Sequence, residues 1–118
     1  MKVLFVEYPK CSTCQKAKKW LESQGIEYTD RHIREDRPNR AEIREWHEKS
    51  GLDIKRFFNT SGVLYKEMKL KDRLPEMSLE EKYDLLASDG MLVKRPIIIT
   101  EDNVLTGFKE SEWEERLL

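Results

Sequence analysis

The sequence predicts an α/β fold built on a four-stranded mixed sheet, and three features of its patterning predict it. An apolar, strand-like run from Val3 to Tyr8 gives way to a helical stripe and then to a second strand-like run. Near the other end, Ile97-Ile98-Ile99-Thr100 and Val104-Leu105-Thr106-Gly107-Phe108 flank a short polar turn, Glu101-Asp102-Asn103. Between these halves, residues 39–90 carry helical periodicity and turn signals. The expected order is βαβ, a helical insertion between the second and third strands, then ββα, in one domain over residues 1–118. A βαβ crossover makes its strands parallel and a short turn makes its strands antiparallel, so the sheet is mixed.

Each element has a local reason. Val3 to Tyr8 is β-branched and aromatic, the composition of a buried strand, and Pro9 ends it. From Ser12 the spacing changes. Cys14, Ala17 and Leu21 recur at i, i+3 and i+7, one face of a helix that Trp20 widens. Lys16, Lys18, Lys19 and Glu22 take the other face, and Gly25 is the expected stop. Ile26 to Ile33 reads as the second strand, followed by a charged loop from Arg34 to Pro38. Asn39 caps a helix carrying Ile43, Trp46 and His47, which stops at Ser50-Gly51. Asp53 caps a short turn leading to Phe57 and Phe58. Asn59-Thr60-Ser61-Gly62 is a turn or cap, and Leu64 and Met68 mark another short helix. Ser78-Leu79-Glu80-Glu81 is a capping box opening a helix with Leu79, Tyr83 and Leu86 on one face, closed by Asp89-Gly90. Ser111-Glu112-Trp113-Glu114 reads as a second capping box, starting a helix that carries Trp113 and Leu117.

The totals narrow the function. A net charge of -1 gives no reason to expect direct nucleic-acid binding. No apolar run approaches a membrane span, and the apolar start is too short for a leader. A cytoplasmic protein is expected. In that reducing compartment two cysteines read as redox or metal chemistry rather than as a structural staple.

Both cysteines, Cys11 and Cys14, fall where the first strand ends and the first helix begins. A helix start carries unsatisfied N–H groups and partial positive charge, which favour a thiolate over a thiol. Cys11, at or just before the helix, is the expected nucleophile, with Lys10 and Lys16 able to add positive potential. Cys14, on the core-facing stripe, is placed to resolve an adduct on Cys11. Metal binding is the weaker reading, because a structural zinc site needs about four ligands. His32 and His47 lie too far apart for the usual histidine arm, so no metal is expected. Inert structural thiols are the other alternative.

At these residues the chain resembles a known family. Tyr8-Pro9-Lys10-Cys11-Ser12-Thr13-Cys14, Lys94-Arg95-Pro96-Ile97-Ile98 and Gly107-Phe108-Lys109 are similar to the glutaredoxin-coupled arsenate reductase and Spx family. The likeness covers essentially the whole chain. It implies a thioredoxin-like, glutaredoxin-like fold with Pro96 as a cis-proline facing the cysteine loop. It also implies that Cys11 is the essential thiol and that Arg95 holds an anion or carboxylate. Ser12, Thr13, Asn59 and Pro96 are implied to line the binding surface. No bound cofactor is implied. Glutathione, glutaredoxin or thioredoxin are the implied external reductants, and the last two are implied partners.

The chain departs from the arsenate-reducing pattern. Asn59 stands where those members place a second arginine, and Gly107-Phe108 occupies the region of their third. Losing charge-assisted contacts of about 1.5–3 kcal/mol each counts against arsenate reduction. Spx, a redox-controlled regulator that binds the RNA polymerase alpha subunit, shares the cysteine pair, and Gly51 matches a glycine it uses in that contact. There too Asn59 replaces an arginine. The resemblance is therefore to two-cysteine members outside either specialised branch. The leading expectation is a thiol–disulfide oxidoreductase-like protein. An Spx-like regulator is the alternative, and a fold relic without turnover the third reading.

The remaining conspicuous residues have plain readings. Trp20, Trp46 and Trp113 fall on helix stripes and read as core. His32 and His47 read as satisfied or exposed histidines rather than acid–base groups. The run Lys66 to Arg73 reads as a solvated face, with a share in holding an anionic partner or phosphate as the lesser alternative.

Overall fold

The computed structural model describes residues 2–118; Met1, the first residue of the expected domain, lies outside the described residues. Among the described residues one mixed sheet is formed. It comprises β1 (Leu4–Glu7), β2 (Thr29–His32), β3 (Ile97–Ile99) and β4 (Val104–Thr106), in the order β2-β1-β3-β4. β1 runs parallel to β2 and antiparallel to β3, and β3 runs antiparallel to β4. The helices are α1 (Ser12–Ser23), α2 (Arg40–Ser50), α3 (Val63–Glu67), α4 (Leu70–Arg73), α5 (Leu79–Ser88) and α6 (Glu110–Leu117). Short 3-10 turns at Ile54–Phe57, Leu74–Glu76 and Gly90–Leu92 join them. The expected α/β architecture is found, with α2 to α5 inserted between β2 and β3.

Strand alternation divides the protein into layers. Phe5, Ile98 and Leu105 are register partners across β1, β3 and β4, and all three face the same cluster. That cluster holds Ala17, Trp20 and Leu21 of α1 with Trp113 of α6. The alternate residues Val6, Ile97 and Val104 face the other way, into a larger cluster with Ile43, Trp46, Phe57, Tyr83 and Leu86 of the insertion. Two-residue periodicity thus assigns each strand side chain to one of two cores. Trp20, Trp46 and Trp113 are all buried, as their stripes require.

Local signals set most of the boundaries. The Asn39 side chain accepts from the Glu42 N–H at 2.8 Å while the Glu42 carboxylate accepts from the Asn39 N–H, a complete capping box. Gly51 closes α2 at φ 68°, a left-handed conformation that glycine adopts without a Cβ penalty. The Asp53 carboxylate accepts from the Lys55 N–H at 2.9 Å and starts the next turn. Ser78 and Glu81 form the expected second box at α5. Gly90 has a different reason: a Cβ there would lie 2.1 Å from the Ile33 carbonyl oxygen, so the insertion returns to the sheet by close backbone approach.

Two expectations are corrected. Leu79 does not join Tyr83 and Leu86 in the core; it is 44% exposed. It is the first residue of α5, and side chains lean back toward a helix start, which carries Leu79 off the packed face. Ser111 does not cap the last helix. α6 begins at Glu110, after Lys109, with no side-chain cap. Trp113 sets that frame: it is fully buried, its Nε1–H donates to the Gly107 carbonyl at 3.2 Å, and its backbone N–H donates to Lys109 at 3.0 Å. The run Lys66 to Arg73 is mostly exposed, yet it contains α4 and the fully buried Leu70.

Candidate active site

Cys11 occupies the N-cap position of α1, in extended backbone at φ -86° and ψ 121°. Its N–H donates to the Tyr8 carbonyl at 2.9 Å, which closes the loop after β1. Its carbonyl accepts from Gln15 at 3.0 Å, which starts the helix. The Gln15 side-chain amide donates to the Pro9 carbonyl at 2.9 Å and clasps the loop. Strand end, proline turn and helix start together hold the sulfur over free N–H groups.

The thiol is half-buried, and that burial alone raises its pKa. The opposing effects together win, and the Cys11 thiol sits below its ordinary range. The Cys14 N–H and the Cys14 S–H both donate to the sulfur, the Thr13 N–H adds to them, and the Arg95 guanidinium supplies positive charge. Arg95 is the strongest cation acting on this sulfur. Lys16 and Lys10 are exposed, where water screens them.

Cys14, one turn further along, is fully buried. Burial pushes its thiol up to about 12, and the negative charges of Cys11 and Glu7 push the same way; the Tyr8 N–H opposes them. Both cysteines are free thiols. Cys11 is therefore easier to ionise than an ordinary cysteine, while at neutral pH its neighbour Cys14 keeps its proton and donates it as a hydrogen bond.

Arg95 joins the cysteine loop to the insertion. Its guanidinium lies 5.3 Å from the centre of the Tyr8 ring. Its Nη1 reaches the Met91 and Val93 carbonyls only at 3.4 and 3.5 Å, and its buried Nε has no partner among the described residues. An arginine offers five donors in a planar fork, so this one is largely unspent. The Arg95–Pro96 peptide bond is cis, and Pro96 is buried at the entry to β3.

Asn59 shares with Arg95 an open groove of about 560 Å³, whose other walls include Ser61, Val63, Glu67, Asp89 and Met91. The Asn59 N–H donates to the Leu92 carbonyl at 2.8 Å, and the Lys94 N–H donates to Phe57 at 2.8 Å. Phe58 and Val93 form an antiparallel bridge between these two bonds. The segments carrying Asn59 and Arg95 are thus stapled side by side. Ser12 and Thr13 are exposed on the first turn of α1, and of these the Thr13 N–H reaches the Cys11 sulfur.

Sequence reasoning missed Glu7. It is 2% exposed, at the end of β1 below the cysteine loop. Burial, then the nearby Asp30 charge, raises its carboxyl above the usual carboxylate range. Lys18 Nζ lies 3.9 Å from Glu7 and 2.8 Å from Asp30. Lys18 is one helical turn beyond Cys14 on α1, so this buried acid reaches the surroundings of Cys14 from beneath. The available signal was an acid inside an otherwise apolar strand, four residues before Cys11. His32 and His47 have structural partners. His32 Nδ1 accepts from the N–H groups of Arg34 and Glu35, both at 3.1 Å, and His47 Nδ1 pairs with the Tyr83 hydroxyl at 2.6 Å.

Comparison with known proteins bears on the chain as a whole. The model of the ArsC family matches residues 6–116. The chain is 53% identical over 115 residues to the Uncharacterized protein YusI of Bacillus subtilis, covering 98% of each. It is 30% identical over 104 residues to Global transcriptional regulator Spx 1 of Bacillus cereus, covering 88% of this chain and 78% of that protein. A crystal structure of an ArsC family related protein from Bacteroides fragilis superimposes with a TM-score of 0.94 at 58% identity, covering 98% of this chain and 97% of the other.

Proposed function

The chain belongs to the ArsC family, and from that premise we propose that it is a thiol–disulfide oxidoreductase. In the first step the Cys11 thiolate attacks one sulfur of a substrate disulfide. That bond breaks, Cys11 forms a mixed disulfide, and the other substrate sulfur leaves as a thiolate and takes up a proton. Cys14 then gives up its proton and attacks the Cys11 sulfur. The second substrate thiolate leaves and a Cys11–Cys14 disulfide remains. The substrate has gained two electrons and the protein has lost two. Glutathione, glutaredoxin or thioredoxin returns them from outside, and no bound cofactor enters the cycle. The setting is the cytoplasm, where such a pair is kept reduced.

The observation that carries this reading is the opposition between the two thiols, one lowered and one pushed up to about 12. The opposition also orders the steps. Part of what keeps Cys14 protonated is the negative charge on Cys11. Once Cys11 is bound in a mixed disulfide that charge is gone, so Cys14 ionises more readily when its attack is needed.

A disulfide is favoured over an oxyanion as substrate. Arg95 is the cation in a groove that also holds Glu67 and Asp89, and these carboxylates oppose a multiply charged oxyanion. Reduction of a small mixed disulfide, followed with excess glutathione and glutaredoxin, is expected to turn over in the wild type and to fall to background in Cys11→Ser. Equal rates in the two proteins would end this reading, as would faster reduction of arsenate than of the disulfide.

The second reading is a redox-sensing regulator that contacts the RNA polymerase alpha subunit. It is favoured by the similarity to Spx 1 and by Gly51, exposed at φ 68° at the end of α2. Capture of that subunit by the oxidised chain, with no disulfide turnover, would decide for it.

A further inference from the structure

The insertion carries a feature that thiol exchange does not use. Two adjoining hollows share Asp53, Lys55 and Phe58. One, of about 150 Å³, opens over Phe58 and Tyr65, with Lys71 and Lys82 at its edge. The other, of about 380 Å³, runs from Lys55 and Arg56 past Thr60 to Lys94. Together they form a trough with an aromatic floor and five cations in its walls.

Those cations are uncompensated. None of Lys55, Arg56, Lys71, Lys82 and Lys94 forms an ion pair among the described residues, whereas Lys18, Arg31, Arg40 and Arg44 all do. Asp53 is the acid in the trough, and its side chain accepts the Lys55 N–H. In a chain of net charge -1 this is a strong local excess of positive charge. Phe58 and Tyr65 are 1% and 6% exposed, so the floor offers a narrow apolar slot rather than an open face.

We propose that this trough docks an acidic segment of a partner protein, with one apolar side chain seated over Phe58 and Tyr65 and carboxylates on the lysines. Charge complementarity favours an acidic occupant, and the apolar floor favours a peptide over a nucleic-acid backbone. The trough shares a wall with the thiol site: Lys94 precedes Arg95, and Phe58 pairs with Val93. A segment docked here brings the rest of its protein up to Cys11. The inference holds whether that partner is a reductant, a substrate or a regulatory target.

The test uses the full reduced chain, labelled with nitrogen-15. It is titrated with an acetylated octapeptide of glutamates carrying one central phenylalanine. Saturable amide shifts confined to residues 53–60, 71–74, 82 and 94 are expected, with affinity falling about tenfold between ~50 and ~300 mM salt. The double variant Lys55→Glu/Lys71→Glu should bind about tenfold or more weakly, with unchanged Cys11 alkylation and circular dichroism. If that variant does not fold, Lys55→Gln/Lys71→Gln takes its place and should still lose about threefold. Replacing the phenylalanine by serine should weaken binding as well. The proposal is overturned by shifts spread over the lysines of α1, by folded variants that bind as tightly as wild type, or by a DNA duplex that displaces the peptide at lower concentration.

Discussion

At the rim of α1, Cys11 is half-open to solvent, faces two backbone N–H groups and lies within reach of a guanidinium. At the floor, one turn on, Cys14 is fully covered, with a buried carboxyl nearby. The two sulfurs share a helix, a loop and a hydrogen bond, yet their environments move them in opposite directions. The difference teaches that reactivity here is a matter of position along one helical turn. The helix terminus supplies N–H groups at its first residues and none further in, while the sheet beneath supplies burial and negative charge. The proposed division into a nucleophile and a resolving thiol rests on that gradient.

The sharpest way to break the comparison is Cys14→Ser. A serine hydroxyl can still donate to the Cys11 thiolate, so the first attack should stay within about threefold of wild type. Resolution should stop, and the mixed disulfide on Cys11 should accumulate and be visible by mass spectrometry. Continued turnover without the trapped adduct would show that Cys14 is a bystander.

Alkali offers the next test. Burial pushes the Cys14 thiol up to about 12 in the folded chain, against 9.0 for an ordinary cysteine. A raised folded-state value means that the neutral thiol is favoured by folding. The stability this provides is complete below about pH 9 and is lost as pH rises toward 12. Wild type should therefore lose more stability across that window than Cys14→Ala, measured by denaturant midpoints. Parallel curves would remove the buried-thiol half of the comparison. Glu7→Gln is a finer probe of the same floor. Removing the carboxylate takes away one cause of the high Cys14 pKa, so alkylation of Cys14 in a Cys11→Ser background should begin at lower pH.

The sequence shows this gradient unevenly, and the reason is locality. The boxes at Asn39 and Ser78, the glycine at Gly51 and the stripe Cys14, Ala17, Leu21 are signals within a single element, and all are found in place. Leu79 and Ser111 carry equally good local signals and are overridden. What decides them is how far the packed face extends and where Trp113 seats. The short helix α4 was hidden because one buried residue, Leu70, sits in a run of exposed charges. The same division holds at the site. Cys11 and Cys14 are legible from spacing, and Arg95 became legible through family resemblance. Glu7 was not, because Lys18 comes from α1 and Asp30 from β2, and only tertiary structure brings them together.

Arg95→Ala should have the smallest effect, and it tests the rim. Arg95 adds charge to a sulfur that already has N–H donors, so its removal should raise the Cys11 thiol without returning it to ordinary behaviour. Contacts between partly exposed charges are worth about 0.2–1 kcal/mol, so alkylation of Cys11 near neutral pH should slow by about two- to fivefold. Salt should narrow the gap between variant and wild type, because it screens a charge but leaves hydrogen bonds from the helix start in place. Arg95→Lys separates charge from shape. It keeps the cation but loses the flat group over Tyr8, so a full return of rate would mean that charge alone acts on the sulfur. A partial return would mean that the stacked geometry holds the charge where Cys11 feels it. An alkylation rate unchanged in Arg95→Ala at low salt would leave the helix terminus as the sole origin of the low thiol pKa, with Arg95 reserved for the substrate.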